Sequence, residues 1–182
     1  MSPSRLKTIA QGELERELEQ RGADWFHANH ACPFLVVVYS PPAEDSSDED
    51  IGERTLRTDV GDLNVSLEHA PSKQLVPVRS SPDDANKQTV TLGRDTDNDI
   101  VIRSSKISRR HAEFIIARHG KYELRDLGSA NGTRINGSRL PGKKAIAIKS
   151  GDMLAFWRFL FQFVEPEAML ALLRKPAAGK KK

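Results

Sequence analysis

Tyr122-Glu123-Leu124-Arg125-Asp126-Leu127-Gly128-Ser129-Ala130-Asn131-Gly132-Thr133-Arg134-Ile135-Asn136-Gly137 is the stretch on which the reading of the fold turns. A short run of strand composition, Tyr122-Glu123-Leu124, gives way to the turn signals Gly128-Ser129, Asn131-Gly132 and Asn136-Gly137. Asn and Gly both tolerate the positive φ that tight hairpin turns demand. Working outward, the same alternation repeats. Thr89-Val90-Thr91-Leu92, Ile100-Val101-Ile102 and Ala112 to Ala117 precede the stretch, and Ala145 to Ile148, Met153 to Trp157 and Leu160 to Val164 follow it. Asp97-Asn98-Asp99, His119-Gly120, Pro141-Gly142 and Ser150-Gly151 separate these runs. Many short strands divided by such turns predict an all-β sandwich or barrel. The dense apolar positions Met153, Phe156, Trp157, Phe159, Phe161 and Phe163 read as its core rather than as a platform for stacking bases.

The flanks read differently. Leu6, Ile9, Leu14, Leu18 and Trp25 or Phe26 lie close to a three-to-four residue period between 4 and 30, predicting an amphipathic helix weakened at Gly12 and Gly22. Pro33 to Tyr39 is short, apolar and β-branched, the signature of a buried strand. Residues 43–70 are acidic and almost free of aromatics, so they bury too little to offset ordering their backbone, which predicts a flexible arm. Met169, Leu170, Leu172 and Leu173 restore helical spacing near the C-terminus. The expected organisation is an N-terminal helix and strand (1–40), an acidic arm (41–72), a β domain (73–165), and a C-terminal helix with a basic tail (166–182).

Composition narrows the function classes. At 182 residues with 38% hydrophobic and 29% charged residues, the chain affords one core with extensions. No stretch of about 18 apolar residues and no secretory leader is legible, so a cytoplasmic protein without a membrane partner is expected. Cys32 is the only cysteine, which excludes an internal disulfide and a thiolate cluster. His27, His30 and Cys32 have loosely metal-like spacing, but a fourth ligand is not apparent and Trp25 and Phe26 beside them indicate packing. No cofactor is expected. The net charge is only +3, and the short Gly179-Lys180-Lys181-Lys182 tail reads as a solvated terminus rather than a nucleic-acid arm.

One ordered set stands out: Gly93-Arg94, then Ser108-Arg109-Arg110-His111, then Asp126 to Thr133, then Asn136-Gly137. In this order and between strands it resembles the forkhead-associated (FHA) domain family over about residues 75–165. The resemblance implies a β-sandwich of about eleven short strands that binds phosphothreonine peptides and is not an enzyme.

Physical chemistry gives the residues matching parts. A phosphothreonine dianion needs charge-assisted, preferably bidentate donors, and an arginine guanidinium supplies them in a fixed fork. Arg94, following Gly93 at a strand end, is the candidate. Ser108 offers a hydroxyl, although it can equally cap a turn; the resemblance implies phosphate contact by Ser108 and Arg109, the latter an unfamiliar residue at that place. Asn131 has donor and acceptor capacity suited to a peptide main chain, and the resemblance implies that grip, with Ala130 lining the groove and Gly132 completing the turn. His111, by the same resemblance, supports the binding loop from behind. A nucleophilic Ser108–His111–Asp126 reading is rejected, because that spacing alone does not place a base and an oxyanion hole. Lys106 matches a position that in some members helps read the third residue after the phosphothreonine, where a lysine favours an acidic side chain.

The acidic arm contains Thr55 and Thr58, in Glu53-Arg54-Thr55-Leu56-Arg57-Thr58-Asp59. The 36 residues from Thr58 to Arg94 (94 − 58), taken as a flexible chain, span about 30–36 Å. Phosphorylation by a Ser/Thr kinase would let the arm occupy its own groove, at millimolar effective concentration. The expected role is a phosphothreonine adaptor in kinase signalling. The reading from another class is a phosphate-independent scaffold binding through its helices.

Overall fold

The computed structural model describes residues 8–40, 74–80, 88–117 and 120–174. Leu6 of the expected helix, Thr55 and Thr58 of the acidic arm, and the lysine tail lie outside them.

Among the described residues, twelve strands form two sheets. The larger sheet holds β1 (Ile9–Ala10), β3 (Gln74–Pro77), β2 (Phe34–Tyr39), β12 (Phe159–Val164), β11 (Met153–Phe156), β8 (Thr133–Ile135) and β9 (Ser138–Arg139), in that spatial order. The smaller holds β10 (Ile146–Ile148), β7 (Tyr122–Asp126), β6 (Ala112–Ile116), β4 (Thr89–Gly93) and β5 (Ile100–Val101). Among the described residues only β4 and β5 run parallel; the other pairs are antiparallel.

The sheets face each other across one core that includes Leu92, Phe114, Leu124, Phe156, Phe161 and Phe163. Phe114 stands edge-on to Phe156, with centroids 6.3 Å apart, and stacks on Phe163 at 6.4 Å. Burying each such ring contributes about 1.5–3 kcal/mol, so an all-β fold of short strands holds together without a disulfide. The aromatic positions expected as core are core, except Trp157, which is only partly buried against it.

A second core covers the outer face of the larger sheet. There α1 (Gln11–Asn29) and α2 (Pro166–Leu173) pack Leu14, Leu18, Phe26, Met169 and Leu173 against Phe34, Val36, Leu75 and Val164. The expected helix thus forms, kinked at Gly22, whose φ is 80°, while Gly12 does not interrupt it. Ile9, expected in the helix, instead pairs with Leu75 in an edge strand.

The expected boundary between residues 1–40 and a β domain starting at 73 is corrected by β2. Leu35 and Val37 point into the sandwich core, Phe34 and Val36 into the helical layer. A strand buried on both faces reads as an unbroken apolar run, which is why Phe34 to Tyr39 looked like one. It lies between β3 and β12, pairing Leu35 with Val76 and with Phe163. Residues 41–73 therefore join two hydrogen-bonded neighbours within the sandwich sheet, rather than leading into the domain. Also missed were β8 and β9, the short arms of the Asn136-Gly137 hairpin, whose central residues have φ of 49° and 83°.

Candidate functional site

At the C-terminal end of β4 the chain passes beneath the loop after β5. Gly93 marks the crossing: a Cβ built there would sit 2.2 Å from the Arg109 carbonyl oxygen and 2.8 Å from Asn98 Nδ2. Only glycine permits that approach. The two segments are then joined by backbone bonds, Arg94 N–H to Ser108 O at 3.0 Å and Asp95 N–H to Arg109 O at 3.3 Å. Asn98, buried, donates to the carbonyls of Asp95 and Arg109 at 2.9 and 2.8 Å. Asp99 accepts from the Thr91 amide and hydroxyl at 2.8 and 2.9 Å. Asn98 and Asp99 are builders of the site that the sequence reading took only as a turn signal.

The segment after β5 carries Lys106, Ser108, Arg109 and Arg110. His111 ties it to the turn after β7. A backbone N–H can only donate, so the 3.2 Å contact from Ser108 N–H makes His111 Nδ1 an acceptor. The proton then sits on Nε2, which donates to Gly132 O at 3.2 Å. The ring is fully buried, edge-on to Phe156 at 5.8 Å, and burial pulls its pKa below the ordinary 6.5, against the opposing influence of Gly132 O and Asp126.

The turn itself hangs on Asp126. Its carboxylate accepts from the amides of Gly128 and Ser129 at 2.8 and 2.9 Å, and from the hydroxyls of Ser129 and Thr133 at 2.6 and 2.7 Å. Burial alone would raise its pKa, but the bonds from Ser129, Thr133 and Gly128 outweigh burial and hold it low. This anchoring places Ala130 and Asn131, both exposed, at the tip. The same geometry disposes of a catalytic triad: His111 meets the Ser108 amide, not its hydroxyl, and the four donors to Asp126 come from its own turn.

Arg94, Lys106, Ser108, Arg109, Arg110 and Ala130 line one open concavity of about 600 Å³, with Asp95 the lone acid among its lining residues. The Arg94 side chain is exposed and makes no hydrogen bond or ion pair among the described residues. Ser108 Oγ accepts the Ala130 N–H at 3.0 Å, so its hydroxyl proton is left to donate. Asn131 does not line the concavity; its Nδ2 donates to Lys106 O at 2.7 Å, and Oδ1 remains as an acceptor. Sequence reading missed Arg110 as a lining residue.

Next to Lys106 is the two-residue turn between β11 and β12, Trp157-Arg158. Trp157 has φ of 54°, a region costing of order 1–3 kcal/mol for a residue with a side chain. Lys106 Nζ lies over its ring 5.9 Å from the centroid, and the Arg158 guanidinium at 5.3 Å.

The other sequence-level candidates lie elsewhere. His30 packs its ring against Trp25, Phe26 and Phe34, and Cys32 is half-buried with its thiol pKa pushed up by burial. Among the described residues no three His, Cys, Asp or Glu side chains gather where they could hold a metal, and no helix is long and apolar enough to cross a membrane.

A family model described as FHA domain matches residues 90–157. The chain is similar to the oxoglutarate dehydrogenase inhibitor of Corynebacterium diphtheriae, 38% identical over 80 residues that cover 44% of this chain and 53% of that one. It is 32% identical to the glycogen accumulation regulator GarA of Mycobacterium tuberculosis over 99 residues, 52% of this chain and 59% of GarA. The match thus spans about half the length of these curated relatives. Among solved structures, Mycobacterium tuberculosis EmbR in complex with a low affinity phosphopeptide is 28% identical with a TM-score of 0.44, covering 52% of this chain and 22% of EmbR. The FHA domain of the CT664 protein from Chlamydia trachomatis is 27% identical with a TM-score of 0.41, covering 50% of this chain and 84% of that domain. Residues 90–157, within the sandwich and loops above, match the FHA domain family.

Proposed function

We propose that the protein is a phosphothreonine-peptide-binding adaptor in Ser/Thr kinase signalling, and not an enzyme. The observation that carries this is the pairing of Arg94 and Ser108 in one concavity: an exposed guanidinium without a partner among the described residues, beside a hydroxyl whose oxygen is occupied and whose proton is available. Four cations against one acid line the same hollow, which suits a ligand carrying about −1.5 to −2 charge.

In this reading Arg94, Ser108 and Arg109 hold the phosphate. Asn131 Oδ1 accepts a peptide N–H while its Nδ2 keeps the loop together, Ala130 lines the peptide's path, and Lys106 faces an acidic side chain. Gly93, His111 and Gly132 support the loops. The names of the curated relatives, an inhibitor and a regulator, accord with a regulatory role. A cytoplasmic setting, without membrane or nucleic-acid partner, accords with a kinase-made ligand.

The test is fluorescence anisotropy with phosphothreonine, phosphoserine and unphosphorylated peptide libraries. Phosphothreonine-selective binding lost in Arg94→Ala is expected. Binding that ignores both phosphate and Arg94 would favour the scaffold reading.

Self-masking extends this proposal to Thr55 and Thr58. The flexible tether to Arg94 inferred from sequence is corrected, since β3 and β4 interrupt it. The nearest anchors are Tyr39 and Gln74, each 16 residues from one threonine (55 − 39 and 74 − 58), a contour of up to roughly 50 Å. Tyr39 pairs with Leu160, just past the Trp157-Arg158 turn that Lys106 overlies. Kinase-treated protein should then bind external phosphopeptide more weakly than untreated protein. Replacing residues 41–73 by a short turn should restore binding; deleting residues 1–70 would instead remove β2 from the sheet.

A further inference from the structure

The Trp157-Arg158 turn is built against its own interest. A two-residue hairpin whose first position has positive φ favours glycine or asparagine there, yet Trp157 holds φ of 54°. A bulky side chain in that region is an outlier, and such outliers cluster where function holds them in place. The ring is only partly buried, so core packing does not account for it fully.

What the ring touches gives the reason. Two cations lie over it: Arg158, which is buried, and Lys106, which lines the concavity. The aromatic face attracts an ammonium within about 6 Å, and Lys106 Nζ is 5.9 Å away. A lysine stem is flexible and loses much rotamer freedom when it forms an exposed ion pair. A ring beneath it removes part of that freedom beforehand. The Lys106 backbone is fixed as well, its carbonyl accepting from Asn131 Nδ2 at 2.7 Å. The chain Trp157–Lys106–Asn131 therefore links the β11–β12 turn to the tip of the β7–β8 turn.

We propose that Trp157 is a positioning residue for ligand specificity: it holds the Lys106 ammonium at the edge of the concavity, so that the domain selects phosphopeptides with an acidic side chain beside the phosphothreonine. This rests on the phosphopeptide reading above. Trp157 itself touches no phosphate in this arrangement, and its removal leaves Arg94 and Ser108 in place.

The experiment measures affinities of phosphothreonine peptides with alanine flanks, a single glutamate being scanned through each flanking position. The full chain is used as wild type, Trp157→Leu, Trp157→Phe, Lys106→Met and the Leu/Met double variant. Leucine keeps apolar volume without a π face; phenylalanine keeps the face. Wild type should prefer one glutamate position by about two- to fivefold, the size of one exposed ion pair. Trp157→Leu and Lys106→Met should each flatten that preference, Trp157→Phe should keep most of it, and the double variant should be no flatter than Lys106→Met. Affinity for the all-alanine phosphopeptide should be unchanged in the two single Trp157 variants, whereas Lys106→Met, which removes one of the four cations lining the concavity, should lower it for every peptide alike. A preference that survives Trp157→Leu but not Lys106→Met, or no glutamate preference in wild type, overturns the proposal. Failure of every protein to bind any phosphopeptide overturns the underlying reading with it, and is distinguished by the all-alanine peptide.

Discussion

The Nδ1 atom of His111 accepts the backbone N–H of Ser108 at 3.2 Å, while Nε2 donates to Gly132 O at the same distance. One buried ring thus spans the two loops that present Ser108 and Asn131. Its value is geometric: a neutral imidazole accepts on one edge of a rigid ring and donates on the other without carrying charge.

Acid should loosen this arrangement. The native pKa of His111 lies below 6.5, with burial as the leading cause, so the unfolded chain takes up a proton that the native state refuses. The contribution is fully present above about pH 6.5 and is lost as pH falls towards the depressed native value, at no more than about 1.4 kcal/mol per pH unit. His30 shifts the same way, again chiefly through burial. Denaturant titrations at pH 7.5, 6.5 and 5.5 should therefore show falling stability, with a shallower fall in His111→Gln. Equal slopes in both proteins would remove His111 from the account.

Arg94→Ala should separate binding from folding. The side chain is exposed and unpaired among the described residues, so its loss should change stability by less than about 0.5 kcal/mol. A charge-assisted hydrogen bond contributes about 1.5–3 kcal/mol, so phosphopeptide affinity should drop at least about tenfold. Lysine at this position restores charge but not the bidentate fork, and should rescue only part. Calorimetric binding alongside thermal melts checks both halves.

Gly93→Ala should damage both. The added Cβ falls 2.2 Å from Arg109 O and 2.9 Å from Arg109 C, backbone atoms of the loop that carries the phosphate-facing residues. The loop must move, at a cost of about 1–3 kcal/mol, and Arg94 and Ser108 lose their register. Chemical shifts of residues 105–111 should change together with a fall in phosphopeptide affinity; a silent substitution would contradict the close approach.

Truncation in the helical layer should do the opposite of Arg94→Ala. Leu14 is fully buried between the helices and the outer face of the larger sheet, away from the concavity's lining residues. Leu14→Ala should cost about 2–5 kcal/mol, a large share of a typical 5–15 kcal/mol. Phosphopeptide affinity measured well below the melting temperature should stay within twofold.

By itself the sequence determined what depends on near neighbours. Alternating short apolar runs, turns at Asn136-Gly137 and Ser150-Gly151, and the amphipathic spacing of Leu14, Leu18 and Phe26 are local properties, and they yielded strands, hairpins and α1. The ordered placement of Gly93-Arg94, Ser108, His111 and Asn131 between strands made the site legible in outline. Tertiary structure decided what depends on residues distant along the chain. Phe34 to Tyr39 reads as buried, but its place between β3 and β12 follows from having two cores to satisfy, one on each face. Residues 41–73 hide that pairing from any local window. Likewise, nothing adjacent to Gly93 announces the Arg109 carbonyl, which arrives when β4 pairs with β6, and nothing near residue 106 announces Trp157, which arrives when the two sheets bring their loops to one end.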